Sequence, residues 1–247
     1  MSWYAYCLTE HPTLANGVRA RRPFLLDGIQ GVNSAPVMSY PSGEFAVIVS
    51  EYDRATSKLD EKSVLEHARV VSRSFRTATV LPFRFGTIFD TEDAIRQAVR
   101  SNRRTFCESV ARLRGKSEMR IKLMVRDGSL RDLEEIVLPD TVGREYLIKL
   151  REKASRERER QTKARALSVQ VHKLFNPLEE EISCKRVDAD GMLLDIAHLI
   201  DTKSIEKYQN RYNTAAKQLK DCQMVVTGPW PPYHFLPGKV RTVAGDS

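Results

Sequence analysis

A strongly charged stretch between Arg144 and Lys173 limits how this chain can fold more than any other part of the sequence. It contains ten Lys and Arg residues against four Glu, so most of the net charge of +8 is concentrated there. A glutamate stands four residues before a cation in three places, which favours a helix: Glu145–Lys149, Glu152–Arg156 and Glu159–Lys163. The pattern predicts one long helix over residues 142–175.

Large apolar residues occur in this predicted helix only near its ends, in residues 146–150 and 167–175. Residues 155–163 contain none. A helix needs a continuous apolar stripe in order to pack on a core, so the middle of this one should lie in solvent or meet an acidic partner. We expect four cations there to form a contact surface for a protein partner: Arg156, Arg158, Arg160 and Lys163.

A basic helix is also compatible with nucleic acid, because phosphate contacts need only positive charge. A nucleic-acid-binding domain more often spreads its basic residues over a docking face and adds aromatic residues or a base-reading motif. Neither accompanies this stretch. Nucleic-acid binding through the helix is therefore the alternative to a protein partner.

Composition favours a folded protein with a well-solvated surface. The chain has 247 residues, of which 41% are apolar and 29% charged, enough for one large domain or two small ones. Its four cysteines are widely spaced and form no CxxC, which argues against a disulfide framework and a zinc site. The N-terminus does not have the pattern of a signal peptide, and no window approaches the about 18 apolar residues of a membrane span. We expect a soluble, cytoplasmic protein.

Residues 1–127 predict the order strand, hairpin, helix, strand, helix, strand. The first strand is aromatic (residues 3–8), and the Gly- and Pro-rich residues 12–36 predict mostly loop, with a short element near residues 24–26. The hairpin turns at Pro41-Ser42-Gly43. The first helix is capped by Asp60 and carries an apolar face of Val64, Ala68, Val71 and Phe75, with Leu65 beside it.

Pro82 interrupts the next strand, residues 78–85, which predicts an edge strand or a bend. A single helix over residues 91–114 follows, capped by Asp90 or Thr91, and residues 119–125 alternate as a half-buried strand. This order is close to that of a ferredoxin-like domain, with loop in place of the usual first helix.

A connector at residues 128–140 marks the domain boundary. Beyond the charged helix, residues 182–187 and 192–199 predict a hairpin, residues 205–219 a helix and residues 222–227 a strand. The fold class is therefore α+β with two domains: a modified ferredoxin-like domain (1–127) and a C-terminal α+β domain with the long charged helix (128–236). Residues 237–247 are expected to be a flexible tail.

No sequence pattern points to catalysis, a cofactor or a metal. There is no GxGxxG, Walker A, HExxH or GxSxG motif, and the five histidines have no ligand-like spacing. We therefore predict a protein that is not an enzyme. An enzyme whose site is assembled from dispersed residues is a further alternative, which sequence patterns do not test.

Pro229-Trp230-Pro231-Pro232 matches the PxxP pattern of ligands for SH3-like grooves. The alternative is a rigid segment folded back on its own domain, with Trp230 and Tyr233 buried as packing anchors. We favour the second interpretation, because a large exposed tryptophan lowers solubility.

Five segments resemble the gas vesicle protein L/F family, in the family's order. They are Trp3 to Tyr6, Gly28 to Ser50, the central motif Val80 to Phe89, Gly143 to Leu147 and the terminal motif Val226 to Phe235. The resemblance covers about residues 3–236 and is weak over residues 11–27. Phe83 stands where the family often has Leu, and His234 where Asn is common.

The resemblance implies a two-domain α+β fold and an accessory role in building the gas-filled protein shell. It implies as partners the small apolar shell protein and other gas vesicle accessory proteins, with a location in the cytoplasm at gas vesicles. No catalytic residue is associated with the family. We expect ten motif residues to be structural: Pro82, Arg84, Phe85, Gly86, Gly228, Pro229, Trp230, Pro231, Pro232 and Tyr233. In particular, Pro82 should bend the chain, Gly86 should adopt an unusual backbone conformation, and Arg84 should pair with an acidic group.

Overall fold

The computed structural model describes residues 2–10, 24–55, 57–125, 143–176, 178–189, 192–219 and 222–237. The chain divides into two compact units, the first formed by Met1–Lys116 with Trp230–Ser247 and the second by Ser117–Pro229. The predicted connector at 128–140 lies outside the described residues, as do residues 238–247 of the tail predicted at 237–247, residues 11–23 and residues 190–191.

The first unit is built on one six-stranded sheet. Its strands are β1 (Ser2–Glu10), β2 (Phe24–Gln30), β3 (Pro36–Ser42), β4 (Phe45–Tyr52), β5 (Val80–Pro82) and β6 (Ile88–Phe89). The order is β2-β3-β4-β1-β5, with β6 also paired to β1. The path β3-β4-β1-β5 follows the ferredoxin-like arrangement, and β2 occupies the place in the sequence where such a domain has its first helix. The short element predicted near residues 24–26 is therefore a full strand.

The central strand β1 fixes the core of this unit. All residues from Trp3 to Thr9 are buried, because side chains alternate between the two faces of a strand and both faces are covered. β1 pairs antiparallel with β4 on one side and with β5 and β6 on the other. The aromatic residues of β1 therefore contact the elements that pack on the two faces of the sheet.

Helix α1 (Glu61–Phe75) begins with a capping box, in which Ser63 N–H donates to the Asp60 side chain at 2.8 Å, so the predicted cap is confirmed. Its predicted apolar face is wrong for Val64 and Ala68, which are exposed. The residues that α1 buries are mainly polar: Ser63, Glu66, His67, Val70, Val71 and Ser74. The reason lies in the partners that face α1, because the Tyr4 hydroxyl meets His67 and the N–H of Asn33 donates to Glu66.

The helix predicted over residues 91–114 is two helices, α2 (Glu92–Ser101) and α3 (Arg103–Leu113). Asn102 separates them, because its side-chain amide donates to the carbonyl of Ala98 at 2.8 Å and so competes with the helical backbone. Thr91 is the N-cap of α2, accepting from the N–H of Ala94 at 3.1 Å. The predicted apolar stripe is buried, as expected: Ile95, Val99, Phe106, Val110 and Leu113.

The second unit has a four-stranded sheet in the order β10-β7-β9-β8. Its elements are β7 (Lys116–Val125), α4 (Gly143–Phe175), β8 (Glu181–Ala189), β9 (Met192–Asp201), α5 (Ile205–Gln218) and β10 (Cys222–Trp230). The predicted hairpin, helix and last strand are all present. β7, which the sequence order assigns to the N-terminal domain, pairs in this second sheet, so the division falls after Lys116 rather than after residue 127.

Among the α4 side chains that the structure describes, those that pack into the core of the second unit lie in the C-terminal half of the helix. Ala164, Leu167, Val171 and Phe175 are buried with residues of β7, β9 and α5. Residues 147–156 of α4, in contrast, are exposed throughout. The long helix is therefore anchored at its C-terminal end and presents residues 147–156 to solvent.

Candidate functional site

In the first unit, family-like motifs converge on the hydroxyl group of Tyr4. This group lies 2.9 Å from Nδ1 of His67 on α1 and accepts a hydrogen bond of 3.2 Å from the backbone N–H of Gly86. The rings of Tyr4 and His67 contact the ring of Phe85, with centroid distances of 6.3 and 5.9 Å. The central strand, α1 and the loop after β5 are therefore joined at this cluster.

Tyr6 fixes the turn that precedes β3. Its hydroxyl group lies 2.8 Å from Oγ of Ser50 and accepts a hydrogen bond of 2.7 Å from the N–H of Val32. Gly31 is required beside it, since a Cβ on this residue would lie 2.0 Å from the hydroxyl oxygen of Tyr6. On the other side of the turn, the N–H of Asn33 donates to Glu66 at 3.0 Å. The motif Gly28 to Val32 thus brings the backbone close to β1.

Burial sets the protonation states of this tyrosine–histidine cluster. It raises the pKa of Tyr4 to about 12, raises the pKa of Tyr6 and lowers the pKa of His67 to about 4. All three groups are therefore neutral near pH 7. Side chains held so far from titration are poorly suited to general acid–base catalysis at that pH, so the arrangement serves to hold α1 on the sheet.

The central motif uses its backbone rather than its arginine. Pro82 ends the edge strand β5, and Gly86 has a φ of +83°, both as predicted. The expected ion pair of Arg84 is wrong, because its side chain is exposed and no ion pair among the described residues involves it. The Arg84 carbonyl forms the turn instead, accepting from the N–H and hydroxyl of Thr87 at 3.1 and 2.7 Å.

The terminal motif contains a glycine that no other residue can easily replace. Gly228 has a φ of +121°, and a Cβ there would lie 2.8 Å from the carbonyl oxygen of Glu118 in the neighbouring strand β7. The peptide bond from Gly228 to Pro229 is cis. The structural role predicted for Gly228 is thus supported by its backbone and its close contact.

The prediction that Trp230 and Tyr233 are buried anchors is wrong, since their side chains are 44% and 38% exposed. The chain turns Pro231, Pro232 and Phe235 inward instead, and the two aromatic rings flank them on the outside. Phe235 also accepts a hydrogen bond from the Arg112 guanidinium through its carbonyl. Because an SH3-like groove reads exposed prolines, the burial of Pro231 and Pro232 also argues against the PxxP interpretation.

A second buried polar cluster lies in the second unit. Glu179 contacts Nδ1 of His172 and lies 3.3 Å from Nε2 of His198, whose Nδ1 is 2.8 Å from the Tyr208 hydroxyl. Burial lowers the pKa of His198 to about 4 and raises the pKa values of Tyr208 and Glu179. The spacing of His172 and His198 in the sequence does not indicate this cluster, because the fold alone brings both histidines to Glu179.

Among the residues that the structure describes, no group of three His, Cys, Asp or Glu side chains is arranged to hold a metal ion. In the same part of the chain, no helix is both long and apolar enough to cross a membrane. Of the cysteines whose side chains are described, Cys7 and Cys222 are buried, Cys107 is half-buried, and all three are free thiols.

A cleft of about 320 Å³ in the first unit lies between the β3–β4 turn and α2. Three arginines line it, but Arg96 pairs with Asp93 at 2.7 Å and Arg103 pairs with Glu44 at 2.8 Å. Its positive charge is therefore largely neutralised by the chain itself. A small-molecule site would instead combine an apolar lining with a few converging polar groups.

The cationic middle of α4, defined as Arg156, Arg158 and Lys163, is exposed as the sequence predicts. None of these side chains forms an ion pair within the described residues. The predicted ion pairs Glu152–Arg156 and Glu159–Lys163 are therefore not formed. Arg160, the fourth expected contact residue, differs. It is half-buried and donates to the carbonyl of Met192 at 2.7 Å, which ties α4 to β9.

About two turns before the cationic middle, α4 exposes three aliphatic side chains. Leu147, Ile148 and Leu150, the aliphatic head of α4, are 64%, 50% and 39% exposed. Leu147 and Leu150 are three residues apart and share one side of the helix, whereas Ile148 lies on another side. Single exposed aliphatic residues are common on protein surfaces, but two on the same side form a patch that favours protein contacts. α4 therefore presents an apolar patch and a positive patch along one helix.

Compared with known protein families, the sequence matches the family described as gas vesicle synthesis protein GvpL/GvpF over residues 2–237. The chain belongs to the GvpL/GvpF family. The resemblance read from the motifs is thereby confirmed, and the chain has a role in gas vesicle formation.

Relatives from the family align over most of the chain at low identity. Gas vesicle protein L of Streptomyces sp. (strain CB03234) is 24% identical over 240 residues, covering 87% of this chain and 89% of that protein. Gas vesicle protein F1 of Halobacterium salinarum is 20% identical over 215 residues and covers 85% of each. The match thus extends over most of the length of each relative.

Two solved structures of the family share the fold. The crystal structure of GvpF from Anabaena sp. PCC7120 has a TM-score of 0.75 at 18% identity, and that of GvpF from Microcystis aeruginosa has a TM-score of 0.70 at 19% identity. Each comparison covers 96% of this chain and 99% of the other. The predicted α+β fold with two sheets is confirmed.

Proposed function

We propose that this chain is a gas vesicle assembly factor that binds the small apolar shell protein and other gas vesicle accessory proteins without catalysing a reaction. It would act in the cytoplasm, at growing gas vesicles. The observation that carries the proposal is the exposed part of α4, residues 147–156 and beyond, where the aliphatic head precedes the cationic middle along the helix. Membership of the GvpL/GvpF family indicates a role in gas vesicle formation. The exposed part of α4 is a surface suited to binding a protein partner in that role.

A shell protein that is small and apolar aggregates unless its apolar surface is covered before assembly. Covering the exposed parts of Leu147, Ile148 and Leu150 contributes on the order of 1 kcal/mol for each side chain. The cationic middle adds charge complementarity, which mainly speeds encounter and orients the partner. Such a contact is weak enough to reverse, as an assembly factor requires when it releases its partner.

The two buried polar clusters support the non-enzymatic part of the proposal. The tyrosine–histidine cluster is neutral near pH 7, and the pKa of His198 is likewise lowered to about 4 by burial. Tyr4 and Tyr208 are buried, with pKa values raised well above neutrality. These groups hold helices on sheets and are not poised to exchange protons with a bound substrate.

The aliphatic head also favours a protein partner over the nucleic-acid alternative. A phosphate backbone would pair with Arg156 and Arg158 but would leave Leu147 and Ile148 uncovered. An amphipathic protein segment would cover Leu147 and Leu150 and pair with Arg158, which shares their side of the helix. A protein partner therefore fits this surface better than nucleic acid does.

The test is co-purification of the full chain with tagged shell protein at low and physiological salt. Arg156→Glu, Arg158→Glu and Lys163→Glu are introduced together, leaving Arg160 in place because it anchors α4. We expect at least tenfold weaker association for this triple variant, and a decrease for the wild type as salt rises, because screening acts beyond about 8 Å at physiological salt.

A matched control reverses three exposed cations elsewhere in the second unit, Lys203, Lys207 and Lys217, and should bind as the wild type does. The double change Leu147→Ser with Leu150→Ser should weaken binding without changing its salt dependence. Equal binding by the triple variant and the control would contradict the assignment to α4. Tight binding of random duplex DNA at physiological salt, lost in the triple variant, would favour the nucleic-acid alternative.

A further inference from the structure

The outer face of α1, in the first unit, combines one exposed leucine with four cations. Leu65 is 67% exposed, and the residues that share its side of the helix are spaced three or four positions apart: Lys62, Arg69, Arg73 and Arg76. All of them are exposed. These five residues, the α1 outer face, extend over about 21 Å of helix at 1.5 Å per residue.

The positive charge of this face is not balanced within the described part of the chain. Lys62 lies 3.6 Å from a carboxylate oxygen of the largely buried Glu66, whereas no ion pair among the described residues involves Arg69, Arg73 or Arg76. Arg69 and Arg73 are one turn apart, as are Arg73 and Arg76, so their charges repel along the helix. An acidic partner would relieve that repulsion.

The attachment of α1 to the sheet does not use its exposed aliphatic residues. Glu66 and His67 face inward and are 7% and 5% exposed, held by the N–H of Asn33 and the hydroxyl of Tyr4. Most surface helices bury their apolar side and expose their polar side. Here Leu65 lies outward among cations, where it contributes nothing to the core and can meet another molecule.

We propose that the α1 outer face binds an acidic amphipathic helix of a partner protein. An apolar ridge of that helix would pack on Leu65, and carboxylates on its flanks would pair with Arg69, Arg73 and Arg76. The length of the face matches a partner helix of about 14 residues, or four turns. This contact is separate from that of α4, lies in a different unit, and does not depend on the identity of the shell protein as a partner.

Other occupants fit the face less well. Duplex nucleic acid or an anionic membrane would pair with the arginines, but a single leucine offers a membrane little to insert and offers phosphates nothing. A second copy of the chain meeting this face with its own α1 would bring like charges together. An acidic helix satisfies both the leucine and the arginines.

The experiment measures fluorescence anisotropy of labelled synthetic helices with the purified full chain. The probe is an amphipathic peptide of about 18 residues with leucines at helical spacing and flanking glutamates, long enough to span the face. Two comparison peptides carry lysine in place of glutamate or serine in place of leucine. We expect only the acidic, leucine-containing peptide to bind, with an affinity that falls at high salt.

Each feature of the face has a matched control. Arg69→Glu with Arg73→Glu, and separately Leu65→Ser, should each weaken binding at least tenfold. Val64→Ser, also exposed but on another side of α1, and Arg100→Glu, an exposed last-turn cation of α2, should leave binding unchanged. All variants should keep the wild-type melting temperature, because the altered side chains are exposed.

No binding of the acidic peptide, or equal binding of the lysine peptide, would overturn the proposal. So would binding to vesicles of phosphatidylserine or to duplex DNA that depends on Arg69 and Arg73 but not on Leu65. The α4 triple variant should bind the peptide as the wild type does, which separates failure here from failure of the proposed function.

Discussion

Single residues in the first unit matter mainly through the close approach of backbone and hydroxyl groups. Gly31 has an ordinary backbone conformation, yet any side chain there would meet the Tyr6 hydroxyl, which is held by Ser50 and Val32. Gly28 has a positive φ but open space around its Cα. Two glycines of one motif therefore have different reasons to be glycine.

Gly31→Ala should lower the free energy of unfolding by about 2–3 kcal/mol, because overpacking displaces Tyr6 from its hydrogen bonds. Gly28→Ala, the control, should cost about 1 kcal/mol from backbone strain alone. Urea unfolding followed by tryptophan fluorescence measures both. Adding Tyr6→Phe should recover part of the loss, and a Gly31→Ala variant as stable as wild type would contradict the close contact.

Phe235, and not the predicted Trp230, is a buried aromatic residue of the terminal motif. Trp230→Ala should reduce stability by only about 1 kcal/mol, since nearly half of its side chain is exposed, whereas Phe235→Ala should cost about 3–4 kcal/mol for a buried ring. Thermal unfolding by circular dichroism compares the two variants. A larger loss for Trp230→Ala than for Phe235→Ala would show that the tryptophan is the anchor after all.

At the scale of elements, sequence pattern locates most helices and strands but not the side that each helix buries. Apolar periodicity correctly places the stripe of α2 and α3, whose partners are apolar. It fails for α1, because Glu66 and His67 are buried only where the fold brings Asn33 and Tyr4 to them. Hydrogen-bond partners distant in sequence leave no periodic signal.

The start of α2 offers a direct test of a predicted cap. Thr91→Ala should lower the free energy of unfolding by about 1 kcal/mol, because the N–H of Ala94 loses its acceptor. Thr91→Ser keeps the hydroxyl group and should cost much less. Denaturant unfolding of the two variants measures the difference, and equal stability would argue that water replaces the cap at no cost.

The candidate contact surfaces are only partly readable from the sequence. The cationic middle of α4 is predicted, because charge without an apolar stripe cannot pack on a core. The anchoring of Arg160 is not, since its acceptor is a backbone carbonyl of Met192 on β9. Sequence pattern does not predict the α1 outer face, because it places Leu65 beside the apolar face that is expected to be buried.

At the scale of the whole molecule, the division between the two units falls after Lys116, where no sequence pattern marks a domain boundary. β7 pairs between β9 and β10 in the second sheet, and its buried residues pack with α4 and α5. The strand alternation is correctly predicted, but alternation does not specify which sheet a strand joins. Pairing partners come from contacts distant in sequence.

Among the residues that the structure describes, each unit has one buried histidine that should make its stability depend on pH. The pKa of His67 and of His198 is about 4 in the folded protein because of burial, against about 6.5 in an unfolded chain. Above pH 6.5 both states are neutral and these groups have no effect. As pH falls from about 6.5 to about 4, the unfolded chain binds protons that the folded chain does not, so stability decreases.

Between pH 7.5 and pH 5, each histidine should lower the free energy of unfolding by about 2 kcal/mol. Both tryptophans, Trp3 and Trp230, belong to the first unit, so their fluorescence reports its unfolding. His67→Gln should reduce the pH dependence seen by fluorescence, and His198→Gln should not. An unchanged pH dependence in His67→Gln would contradict the buried, neutral state of His67.

Deletion of the gene in a gas-vesicle-forming host, followed by complementation, tests the assembly role most directly. Vesicles are scored by electron microscopy, and association with the shell and accessory proteins by co-purification. The wild-type chain should restore vesicles that are absent or sparse in the deletion strain, and the triple variant Arg156→Glu, Arg158→Glu, Lys163→Glu should restore few of them while remaining folded. Normal vesicles in the deletion strain, with no association of the chain with shell or accessory proteins, would contradict a role in assembly through partner binding.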